Sequence, residues 1–202
     1  MRAFLDDTPL SCERETMRSA FDAAVAGAHE SGRLIVDVLA DGQPVPHDQL
    51  SEPSDEPTSS EFRFVTAEPA TMVAKVLREA SSATEQVAEA QAAAAASLHS
   101  GQMEEARAGL EQVVLIWQAI MQAVGRGSEL VGRPIASEDL GDGRTLDAAS
   151  QTLKGDLESL AASLSSQDWS ALADTLEYDL AEHAKSWADL LTTAAERIDP
   201  IA

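Results

Sequence analysis

His183 has the strongest claim to chemistry among the titratable side chains. It stands on an apolar stripe between Leu180 and Trp187, and Asp179 precedes it by about one helical turn. A histidine oriented by a carboxylate can serve as a general base. No nucleophile or second histidine lies near it in sequence. A core-edge ring satisfied by Asp179 or by the backbone therefore explains the same pattern. Glu111 and Glu177 form a second candidate, because they occupy equivalent places in a repeated segment. They could meet as a carboxylate pair or hold a cation, or both could be solvated flanks. Arg126, Arg133 and Arg144 cluster around a glycine-rich stretch. The N–H groups of Gly141 to Arg144 lead into a helix, and a helix N-terminus attracts anions. Helix capping and charge balance are the plainer account of the same residues. Cys12 lacks a neighbouring histidine or cationic pair to activate it, and is read as inert.

Motifs that would add to these candidates are missing. None of the four histidines has a glutamate three residues before it, so the Glu-x-x-His pairs of a di-iron helical protein are absent. There is no Gly-x-x-x-x-Gly-Lys loop, Gly-x-Ser-x-Gly, His-Glu-x-x-His, Cys-x-x-Cys or Asp-rich calcium loop. No metal and no cofactor is expected. An enzyme with a site between two domains, near His183, is the third reading of function.

Charge narrows the partners. Thirty-five acidic residues against 14 basic ones give a formal charge of −21. Nucleic acid and anionic lipid would be repelled by such a surface. Only Lys75, Lys154 and Lys185 are lysines. An acid-rich, lysine-poor chain suits a saline environment, and a GC-rich genome writing arginine and alanine accounts for the same composition. A single cysteine rules out an intrachain disulfide. No apolar run approaches the ~20 residues of a membrane span, and the first twenty residues hold no stretch of signal-peptide length. The expectation is a cytoplasmic protein.

These residues need elements to hold them, and the second half supplies a repeat. Ala95 to Glu111 aligns without a gap on Ala161 to Glu177, with seven of seventeen positions identical. Each copy carries helical patterning on both sides of a short polar break. That is an αα-hairpin present twice, which predicts an antiparallel four-helix bundle over residues 68–202. The first helix runs from about Pro69 to Leu98 with an alanine-slim flank at Ala92 to Ala96. The second carries Met103 to Val124, the third Leu146 to Leu164 and the fourth Trp169 to Ala194. The tight turns fall near His99 to Gln102 and Ser165 to Asp168. A long link, Gly125 to Arg144, joins the hairpins. Trp117, Trp169 and Trp187 all fall on the apolar seams.

Residues 1–67 alternate differently. Ala3 to Leu5 and Thr8 to Ser11 read as strands around an Asp6-Asp7 turn. Thr16 caps a helix whose face is Met17, Ala20, Phe21, Ala24, Val25 and Ala28, and Gly32 ends it. "RLIVDVL" from Arg33 reads as a strand, with Asp41-Gly42 as a hairpin turn. Pro44 and Pro46 confine a return strand near Val45 to a sheet edge. Glu61 to Thr66 is the last strand, and Ser51 to Ser60 is expected to be a mobile loop. One helix across a small mixed sheet resembles the plan of ubiquitin-like, or β-grasp, domains, a likeness of fold that carries no function.

The fold class is therefore α+β: a small N-terminal mixed sheet with one helix, then the bundle. The favoured function is a non-enzymatic protein–protein interaction or scaffold protein, possessing the helical architecture of small adaptors and export chaperones. Its partner would be another protein or a second copy of itself. A small-molecule or anion sensor using the link 125–144 is the alternative.

Overall fold

The computed structural model describes residues 1–56 and 59–199. The chain is α+β, with one mixed five-stranded sheet and several helices. It divides into two compact units, Met1–Met72 and the remainder from Val73.

In the first unit the strands are β1 (Arg2–Leu5), β2 (Thr8–Pro9), β3 (Leu34–Ala40), β4 (Gln43–Pro44) and β5 (Glu61–Ala67). Their order in the sheet is β2-β1-β5-β3-β4. β1 runs parallel to β5, while β3 runs antiparallel to it. β5 is the central strand, and its alternation puts Phe62, Phe64 and Thr66 on one buried face. Helix α1 (Met17–Glu30) packs Met17, Ala20 and Ala24 against them. Thr16 caps it by accepting the Ser19 N–H at 3.2 Å. Phe21 meets Phe64 edge to face at 6.1 Å. Val25, expected on the inner face, is exposed, because the helix buries a narrower stripe than its apolar residues offer.

Aspartates organise the sheet's turns. Asp6 (φ 52°) lies in the β1–β2 turn. Asp41 (φ 49°) and Gly42 (φ 81°) make the β3–β4 turn, with the paired positive φ of a type I′ hairpin. β4 reaches only Gln43–Pro44, since proline withholds the N–H that a longer ladder needs. It pairs with β3 at Leu39 and Ala40, and just beyond it the Val45 N–H donates to the Val38 carbonyl at 2.8 Å. A bulge interrupts β3 between Ile35 and Asp37. There the Asp37 carboxylate accepts the Val38 N–H at 2.9 Å. A short helix, α2 (His47–Ser51), ends where the expected loop, Ser51 to Ser60, begins. Arg18 reaches Asp55 further along it, at 3.0 Å. Residues 57 and 58 of that loop lie outside the described residues.

The second unit holds α3 (Pro69–His99, beginning just before the unit boundary), α4 (Met103–Val131), α5 (Leu146–Ser166), α6 (Trp169–Asp174) and α7 (Leu180–Ile198). Between α6 and α7 the helix continues through a π turn, Thr175–Asp179. The helices share one core that includes Leu77, Val87, Val113, Trp117, Leu153, Leu176, Leu180 and Trp187. Trp117 and Trp187 meet edge to face at 5.6 Å. With its amide turned to satisfy both neighbours, Gln91 accepts from Trp117 Nε1 and donates to the Leu180 carbonyl.

The long link is shorter than expected. α4 runs on through Gly125 and Gly127 to Val131, so the link begins at Gly132. Glycine inside a helix costs ~1 kcal/mol of propensity. Here packing outweighs it: a β-carbon on Gly127 would stand 2.9 Å from Val73 Cγ1, so only glycine lets the two helices approach so closely.

The two tight turns share a hydrogen-bond pattern. At the first, Gly101 N–H donates to the Leu98 carbonyl (3.1 Å), Gln102 to Ser97 (2.8 Å), Met103 to Gly101 (3.1 Å) and Ala106 to Gln102 (3.0 Å). At the second, Gln167 donates to Leu164 (3.2 Å), Asp168 to Ser163 (2.9 Å), Trp169 to Gln167 (3.1 Å) and Leu172 to Asp168 (3.0 Å). Every donor and acceptor is displaced by 66 residues. Both Gly101 and Gln167 take the left-handed conformation.

Candidate functional site: an apolar groove between α4 and α5

The most developed concave surface of the second unit lies between α4 and α5. Its volume is about 900 Å³. α4 contributes Met103, Leu110, Val114 and Leu115 along one flank. α5 contributes Leu157, Leu160 and Leu164 along the other, and Trp169 closes the end beyond the second turn. Several of these large apolar groups face solvent: Leu115 is 65% exposed, Leu164 45%, Met103 39% and Trp169 37%. Trp169, Leu164 and Met103 were expected inside a seam. They lie at its open end instead, because helical periodicity identifies an apolar face but not whether a neighbour closes it. Glu104 and Glu111 line the same groove, and its one lining cation, Arg107, is tied to Glu111 at 3.1 Å.

The polar candidates are distributed elsewhere. His183 does not pair with Asp179. Its Nε2 lies 2.6 Å from Asp156 Oδ2, so the orienting carboxylate comes from α5 rather than from one turn earlier. Asp179 ends the π turn and is exposed. His183 and Asp156 thereby link α7 to α5 through a half-buried hydrogen bond. Among the described residues no hydroxyl or thiol hydrogen-bonds to either side chain. Glu111 and Glu177 take separate partners. Glu111 holds Arg107, and Glu177 approaches His99 Nε2 at 3.6 Å across the helix ends.

The three arginines do not converge. Arg126 is an exposed residue of α4, not of the link. Arg133 is held by the Glu138 carboxylate through both Nε and Nη2. Arg144 is exposed. The N–H groups of Gly141 and Gly143 both donate to Asp139 Oδ1, at 2.8 and 3.1 Å. The link thus supplies its own carboxylate where an anion was expected. Thr145 accepts the Ala148 N–H and caps α5. Among the described residues no cluster of three or more His, Cys, Asp or Glu is placed to hold a metal. None of their helices is long and apolar enough to cross a membrane.

A family model described as "Domain of unknown function (DUF8042)" matches residues 75–190. The chain belongs to this family. The matched span contains the whole groove, both tight turns, the π turn and the His183–Asp156 pair, whereas the sheet-bearing unit lies outside it. No curated protein and no solved structure matches the chain.

Proposed function

We propose that this chain is a non-enzymatic interaction protein that engages a protein partner through the α4/α5 groove. The observation that carries this reading is the concentration of exposed apolar side chains, Leu115, Leu164, Met103 and Trp169, in one groove of an otherwise acidic surface. Contiguous exposed apolar surface rimmed by polar groups is characteristic of interaction sites. The same proposal places the protein in the cytoplasm and keeps nucleic acid and membranes off its list of partners, in keeping with a charge of −21.

As part of the same reading, the helical unit is an antiparallel four-helix bundle made from two copies of one αα-hairpin, and the sheet-bearing unit follows the β-grasp plan. The matched hydrogen bonds of the two tight turns support the duplication. The parallel β1–β5 pair beside an antiparallel β3, with α1 packed on the sheet, supports the β-grasp plan.

The test compares the full chain with a Leu115→Gln, Leu164→Gln variant as bait in lysate of the source organism. Captured proteins are identified, purified and titrated against both baits while Trp169 emission is followed. One purified protein binding the native chain at least tenfold more tightly than the variant is expected. Equal binding to both, or none to either, would overturn the groove reading.

A further inference from the structure

The chain contains an internal comparison for the groove. Counting 66 residues back from Leu157, Leu160, Ala161 and Leu164 of α5 gives Gln91, Ala94, Ala95 and Leu98 of α3. All four α3 residues are buried. Helices enclose that side of α3: Gln91 accepts from Trp117 Nε1 of α4 and donates to the Leu180 carbonyl of α7, a β-carbon on Gly109 of α4 would stand 3.0 Å from Ala94 Cβ, and Leu98 reaches the end of the groove itself. The corresponding face of α5 is not closed in this way. Ala161 and Leu164 are exposed and line the groove. A face of this construction is covered, elsewhere in the same unit, by an α-helix.

Length and charge narrow the occupant further. The α4 flank of the groove runs from Met103 to Gln118, which at ~1.5 Å per residue is on the order of 22 Å, or about four helical turns. Its charged lining residues are Glu104, Arg107 and Glu111; Arg107 and Glu111 pair with each other, which leaves Glu104 uncompensated. A partner helix lying here meets an apolar floor edged by Glu104 on a molecule of net charge −21, so cationic flanks are attracted and acidic ones repelled.

Resting on the groove reading above, we propose that the occupant is an amphipathic α-helix of about four turns with an apolar face and lysine- or arginine-bearing flanks. Such a helix lays its i, i+3, i+4 and i+7 anchors into the groove, with Leu115 and Trp169 as the contacts at its edges.

Three labelled peptides test this against the full chain by fluorescence anisotropy. All share one leucine-alanine apolar face; one has a lysine-rich polar face, one a glutamate-rich face, and the third is the lysine peptide broken by central prolines. The lysine peptide is expected to bind at least tenfold more tightly than either of the others. Its binding should weaken in high salt and fall by at least tenfold in the Leu115→Gln, Leu164→Gln variant, which leaves the charge unaltered. Circular dichroism of that variant should be native, since both positions are exposed. Undiminished binding of the lysine peptide to the variant would show charge attraction without the groove, and would overturn the proposal. Equal binding of the glutamate peptide would overturn the cationic class while leaving the groove reading standing. A dimer that forms at working concentration and is lost in the variant would make a second copy the occupant. Failure of every peptide while the bait experiment succeeds would overturn the helical occupant alone.

Discussion

Asp6 closes the sheet of the first unit at the end of β5. Its carboxylate accepts the Thr66 N–H at 2.8 Å and the Thr66 hydroxyl at 2.7 Å. Those hydrogen bonds, led by the backbone one and aided by the charge of Arg33, hold its pKa below the ordinary carboxylate value. Asp41 is lowered in the same direction by the hydroxyl and N–H of Ser60. A carboxylate with a depressed folded-state pKa contributes stability above its unfolded value of about 3.9, and that contribution is lost as the pH falls through the folded value. Asp6→Asn should therefore flatten the acid limb of thermal stability below about pH 4, while a steep limb persists in the native chain. Gln167 offers a second residue-scale prediction. It takes φ 57° where the equivalent turn has Gly101. A left-handed non-glycine residue costs roughly 1 kcal/mol, so Gln167→Gly should raise the unfolding free energy by about that much, read as a higher urea midpoint at unchanged m-value. At this scale the sequence pointed to Asp179 as the carboxylate beside His183, and the structure supplies Asp156 instead. Asp156 lies 27 positions away, and only the approach of α5 to α7 brings it within 2.6 Å.

The helices carry a one-residue irregularity that the repeat conceals. Buried Ala106 and Leu110 of α4 correspond to buried Leu172 and Leu176, 66 residues on. Beyond that, Val113, Trp117, Ile120 and Val124 correspond to Leu180, Ala184, Trp187 and Leu191, all buried and 67 residues on. The change of offset falls within the π turn Thr175–Asp179. A π turn accommodates one extra residue inside a helix, and here it keeps the later apolar positions facing the core. Deleting exposed Tyr178 should convert the segment to regular α-helix and retain cooperative unfolding and native helicity. Inserting or deleting one residue at a regular helical site would instead turn the following face by about 100° and spoil the core. Collapse of the Tyr178 deletion would refute the register argument. The gapless alignment stops at Glu177, inside the turn, which is why the inserted residue was not legible in sequence. The two tight turns were legible because short polar breaks interrupt strong periodicity. The groove was not, since Leu157, Leu160 and Leu164 show the spacing of a covered helix whether or not anything covers them.

Across the whole molecule, the acidic charge and the apolar groove act in opposite directions. Net charge of −21 keeps copies apart, whereas exposed Leu115, Leu164 and Trp169 favour contact. The charge was plain in composition, but the site where apolar surface breaks through it depends on how the helices settle. The sheet shows a similar balance at its margin. The pairing beside β4 stops at Val38, whose carbonyl accepts the Val45 N–H; there Asp37 takes up the Val38 N–H, the bulge interrupts the outer side of β3, and Val36 stands 46% exposed. A strand end with open amide groups and a valine beside it is a template for joining another chain edge to edge. The carboxylate of Asp37 denies that template a donor and sets a charge in its path. Asp37→Val should leave the monomer folded yet bring on turbidity and thioflavin-positive aggregates during refolding at concentrations where the native chain stays clear; a variant equally free of aggregates would show that the bulge alone guards the edge. Aggregation of the Asp37→Val variant alone would place the guard against fibril growth in one aspartate's side chain.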